Sequence, residues 1–114
     1  MIKVKKGADV SDLKRELWQA IHTIDPIFKK FGSDTTITSG CESVPGHSRK
    51  SLHYLGCAVD LRTRDIKTED EKWRVVVAIR EKLGDYFDVI YEAAPEHIHL
   101  EYDPRERMSR GVDK

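Results

Sequence analysis

Two polar segments of this chain gather the side chains that can do chemistry: SLHYLGCAVDLR at 51–62 and PEHIHLEY at 95–102. The first offers His53 and Asp60; the second offers Glu96, His97, His99 and Glu101. Imidazole nitrogens and a carboxylate oxygen are the donor set of a catalytic zinc that keeps one position open to water. A proton acceptor beside that water, Glu96 or His97, would make a small zinc hydrolase. Zinc would lower the pKa of its water toward ~7 and polarise the scissile carbonyl. Side chains alternate faces along a strand, so Ile98 and Leu100 are expected in the core, with His97, His99 and Glu101 on the other face. Asp60 interrupts an apolar run between Val59 and Leu61, where a carboxylate needs a strong partner. His53 lies too far before Asp60 for one straight strand to bring both to one ion, but a turn at Gly56 can close the pair. Glu101 is expected to orient an imidazole or to lie on the surface. Glu92 is an alternative base if its loop folds back. His22 reads as structural or solvent-facing, and His47 as a satisfied loop histidine.

The elements that must position these residues follow from the spacing of apolar side chains. Residues 11–31 read as an amphipathic helix on Leu13, Leu17, Ile21, Ile24 and Phe28, with Ser11 or Asp9 as N-cap, Gly32 as stop, and a kink or break at Pro26. TTITS at 35–39 is β-branched and reads as a strand, followed by a polar loop over 41–51. Residues 57–61 form the next strand. Thr68 with Glu71 has capping-box spacing for a second helix that ends at Gly84. Residues 87–91 and 97–102 read as two strands joined through Ala94 and Pro95. The sum is an α+β domain with a small, mostly antiparallel sheet backed by helices. A polar tail from about residue 103 is expected to be loosely ordered.

Size and charge bound the function. The 114 residues make one domain, 1–114, able to bury roughly 65% of its unfolded surface. Twenty basic side chains balance twenty acidic ones, so no global charge draws nucleic acid or acidic membrane. No apolar run of about 18 residues is present to span a membrane. The lysine-bearing start has no apolar signal core, so the protein is expected to be made in the cytoplasm and carried or released by something else if it acts outside. Cys41 and Cys57 are too few for a disulfide framework or a four-cysteine zinc site and read as reduced, part-buried side chains. Neither a P-loop nor a dinucleotide fingerprint occurs.

SLHYLGCAVDL resembles the S-x-H-x-x-G-x-A-x-D pattern of the M15 zinc peptidases, and EHIH resembles that family's C-terminal element. ITSG at 37–40 resembles the segment that precedes the first motif. The family comprises D-Ala-D-Ala carboxypeptidases and dipeptidases and the L-Ala-D-Glu endopeptidases of phage endolysins; the hedgehog signalling domain shares its metal fold. The resemblance implies one zinc per chain, held by His53, Asp60 and His99, with Glu96 as base and His97 as an additional active-site histidine. It implies Ser51 as a support of the loop, and stem peptides of peptidoglycan as substrate, reached after phage-type release or as part of a virion. Many relatives carry an arginine where this chain has Glu42. Arg49, in the loop before His53, is the chosen replacement, ahead of Arg62 and Arg64. Without such a cation, endopeptidase action or a distinct substrate is favoured over recognition of a free C-terminus. Two other functions compete: a non-catalytic, metal-containing binding or structural domain, and a zinc hydrolase of another amide or ester.

Overall fold

Apolar periodicity builds two helices, and β-branched alternation builds the sheet they cover. The computed structural model describes residues 1–41 and 57–102. Its elements run β1 (Ile2–Val4), α1 (Arg15–Lys30), β2 (Thr35–Ser39), β3 (Ala58–Leu61), α2 (Glu69–Leu83), β4 (Phe87–Ala93) and β5 (Glu96–Tyr102). The five strands form one mixed sheet in the order β1-β2-β3-β5-β4. β1 lies parallel to β2, and the remaining pairs are antiparallel. The expected α+β class and helix-backed sheet are thus observed, with one addition. The parallel edge strand β1 is three residues of mixed exposure, too short to carry a periodic signal.

α1 begins later than its sequence suggests. Ser11 is withdrawn from capping because its amide and hydroxyl both donate to Asp9 Oδ1, at 2.9 and 2.6 Å, closing a local turn. The helix runs through Pro26 instead of ending there. A proline inside a helix costs roughly 3 kcal/mol. Leu17, Ile21, Ile24 and Phe28 are all fully buried on its inner stripe, each contributing about 1.5–3 kcal/mol. Tertiary burial therefore outweighs the local penalty.

α2 follows its sequence signals closely. Thr68 Oγ1 accepts from the Glu71 amide at 3.1 Å, and Gly84 ends the helix at φ +75°, ψ −162°, a region essentially reserved for glycine. Gly40 has a different reason: a Cβ there would collide with the carbonyl oxygen of Asp9, which also accepts from the Cys41 amide at 2.6 Å. β4 and β5 run further into their hairpin than expected, so only Ala94 and Pro95 separate them, joined by a cis peptide bond. One core unites Leu17, Ile21, Ile24 and Phe28 of α1, Val75, Val76 and Ile79 of α2, and the inward side chains of the sheet. No helix among the described residues is long and apolar enough to cross a membrane.

Candidate active site

β5 lies between β3 and β4, so its outward side chains have neighbours on both sides. Ile98 and Leu100 are fully buried and Tyr102 nearly so, while His97, His99 and Glu101 emerge part-buried on the opposite face, as the alternation requires. Register then selects the partners. Asp60 of β3 and Ile90 of β4 stand opposite His99, and Glu92 of β4 stands opposite His97. The two segments singled out in the sequence therefore meet.

Their contacts are specific. His99 Nδ1 is 3.0 Å from Asp60 Oδ1, and its Nε2 is 3.0 Å from Glu101 Oε1. Carboxylate oxygens accept, so both ring nitrogens carry protons and donate. Burial works against the charged ring, yet the hydrogen bonds and charges of Asp60 and Glu101 push His99 up to about 9. His97 Nδ1 lies 2.6 Å from the Pro95 carbonyl oxygen. A carbonyl only accepts, so Nδ1–H donates, and Nε2 is turned toward Glu92 Oε1 at 3.3 Å and Asp60 Oδ1 at 3.5 Å. The side chains of Asp60, His97 and His99 are each only 14% exposed, a partly desolvated setting that strengthens these interactions.

Glu96 is elsewhere. It is an odd number of residues from His99, so pleating sends the two to opposite faces. Its carboxylate accepts from the Thr63 hydroxyl and from Lys72 Nζ, the latter at 2.9 and 3.1 Å. Those hydrogen bonds, Thr63 first and then Lys72, hold its carboxyl below the usual range despite some burial. A general base works best with a pKa near the ambient pH, so this environment moves Glu96 the wrong way. The expectation that it stands beside the histidines as base is thereby corrected. Tyr91 joins the same group, donating to Glu69 Oε2 at 3.0 Å; burial and the Glu69 and Glu96 carboxylates push its hydroxyl well above the ordinary value.

The expected zinc centre is corrected as well. Among the described residues no group of three or more His, Cys, Asp or Glu side chains is arranged to hold a metal ion. Of the three expected ligands, Asp60 and His99 are described, and they are spent on each other. A ring whose two nitrogens both donate to carboxylates has no lone pair to offer. His53, Arg49, Ser51 and Glu42 lie outside the described residues.

Thr63, Lys72 and Tyr91 are the members of this neighbourhood that sequence reasoning missed. Thr63 had no signal in the sequence: only the β3–β5 register, continued two residues past Leu61↔Ile98, puts it opposite Glu96. Lys72 had none, being one of many charged residues on an exposed-looking helix turn. The chain matches no protein-family model and no curated protein.

Proposed function

We propose that the protein is a peptidase that hydrolyses peptide bonds in bacterial cell-wall stem peptides, of the L-Ala-D-Glu endopeptidase or D-Ala-D-Ala carboxypeptidase type. The observation that carries it is the meeting of Asp60 and His99, one from each segment that resembles those peptidases, at 3.0 Å on one sheet face. The same proposal assigns the helix-backed sheet to the D-Ala-D-Ala peptidase and hedgehog architecture.

The residues on this face suit acid–base hydrolysis. Water attacks the scissile carbonyl carbon, the carbon–nitrogen bond breaks, and the water proton passes to the leaving amine. His97 Nε2, between Asp60 and Glu92, is the group to relay that proton. The His99 imidazolium, braced by Asp60 and Glu101, supplies positive charge near the developing oxyanion. A second reading, a non-catalytic binding domain, is favoured by one observation: Glu96 is committed to Lys72 and Thr63 instead of the histidine face.

The deciding experiment incubates the purified protein with defined muropeptides carrying three to five stem residues and identifies products by mass spectrometry. Cleavage at a single stem bond is expected, falling by roughly 100-fold or more in His97→Gln and Asp60→Asn. A folded parent that cuts none of them overturns the peptidase reading.

A further inference from the structure

Residues 95–97 are held from both faces of the sheet at once. On the helix face, Glu96 is bound by Thr63, just past the end of β3, and by Lys72, in α2. Thr63 is fully buried and the Lys72 side chain only 14% exposed, so both donors are fixed by their surroundings. Tyr91 of β4 donates to Glu69 and sets its ring edge-on to the Trp73 indole at a 5.0 Å centroid distance. On the opposite face, His97 turns back to the Pro95 carbonyl oxygen, the residue immediately before Glu96. β5 is paired with β4 as far as Glu96, but its last ladder partner in β3 is Leu61, opposite Ile98. Between Ile98 and the hairpin turn, the Thr63–Glu96–Lys72 bonds replace the missing ladder on the β3 side.

Resting on the reading of Asp60, His97 and His99 as the reactive centre, we propose that Lys72 and Thr63 are positioning residues that act through Glu96. They fix the backbone at Pro95–His97, and so fix the His97 ring, which donates Nδ1–H to the Pro95 carbonyl and turns Nε2 toward Asp60 and Glu92. Glu96 then serves the site from behind, as a clamp on the strand that carries the histidine. The carbonyl that accepts the Nδ1–H hydrogen bond and the Cα that bears the ring are both adjacent to the clamped residue. A small movement of that backbone changes the Nδ1–carbonyl distance directly, and misplacing a reacting group by about 1 Å can cost roughly 100-fold in rate.

The test reads the ring itself. Protein carrying 15N-histidine gives a long-range proton–nitrogen correlation for each imidazole, and His97→Gln identifies the His97 pattern. In the parent, that pattern is expected to show Nδ1 protonated. In Lys72→Met, the Nδ1 and Nε2 signals of His97 are expected to move toward an exchange-averaged position, while those of the remote His22 stay in place. Lys72→Arg restores the parent pattern by keeping a cation on Glu96. Thr63→Val gives the same change as Lys72→Met by removing the other donor, and decides the matter if Lys72→Met does not fold. An unchanged His97 pattern in a folded Lys72→Met or Thr63→Val protein overturns the proposal. Because no hydrolysis is needed, a parent inactive on muropeptides whose His97 still responds to Lys72→Met would remove the peptidase reading and leave the clamp standing. Where the parent is active, kcat is expected to fall in Lys72→Met with KM little changed.

Discussion

At the scale of single residues, the outward face of β5 is a balance of charge. His99 carries its proton because Asp60 and Glu101 each take one of its N–H groups. Replacing Asp60 with leucine keeps the volume similar but leaves the part-buried imidazolium with one partner. A loss of about 1–3 kcal/mol is expected, read as a lower urea midpoint. Asp60→Asn, which can still accept from Nδ1, should lose less. The sequence made this balance half legible. Alternation around Ile98 and Leu100 identified which side chains share a face, because the period of a strand depends on local geometry alone. That His99 would spend both nitrogens on carboxylates was not legible, because it depends on the register of β3 and β4 against β5. Glu96 misled for a different reason: its spacing from His99 matched a familiar motif, although the pleat alone sets it on the other face.

At the scale of elements, the best-read pieces were those whose ends are set by local bonds. Thr68→Ala removes the acceptor for the Glu71 amide and is expected to cost about 1 kcal/mol of unfolding free energy. Gly84→Ala forces a Cβ into a φ of +75° with extended ψ and is expected to cost about 1–3 kcal/mol. Chemical denaturation measures both, and a neutral Gly84→Ala would show that the turn after α2 rearranges freely. α1 was read less well at both ends of its argument. Its start was misplaced because Asp9 competes for Ser11, and its continuity through Pro26 depends on a buried stripe whose partners lie elsewhere in the chain. β1 escaped notice because a three-residue strand is specified by its neighbour β2 more than by itself.

At the scale of the whole molecule, helices and sheet are joined by both apolar and polar contacts. Ile98 is fully buried in the core cluster it shares with residues of both helices, and Ile98→Ala is expected to cost about 2–5 kcal/mol. Asp25 of α1 is one polar link, to Thr35 of β2. Burial opposes its ionisation, but hydrogen bonds from the Thr35 hydroxyl at 2.7 Å and the Met1 amino group at 3.3 Å, with Lys29 nearby, lower its pKa below the usual value. A carboxyl lowered in the folded state stabilises the fold above its unfolded pKa of about 3.9, and this is lost as pH falls through the folded value. The stability advantage of the parent over Asp25→Asn should therefore be full at pH 7 and shrink below about pH 4. Thermal melts across that range check it, and an advantage that persists undiminished at pH 2 would refute the link.

The two-sidedness of β5 also constrains how the chain can change in length. Glu96–Tyr102 alternates core and site without interruption, and its hairpin with β4 spans only Ala94 and Pro95. If β5 shifts as a unit to absorb an indel, gaining or losing one residue in that turn exchanges its two faces, turning the histidines inward and Ile98 and Leu100 outward. A two-residue change keeps the faces but moves each histidine past its partners on β3 and β4. Length variation near this hairpin is thus expected to be filtered by parity: odd indels destroy the fold, and even ones preserve it while dissolving the site.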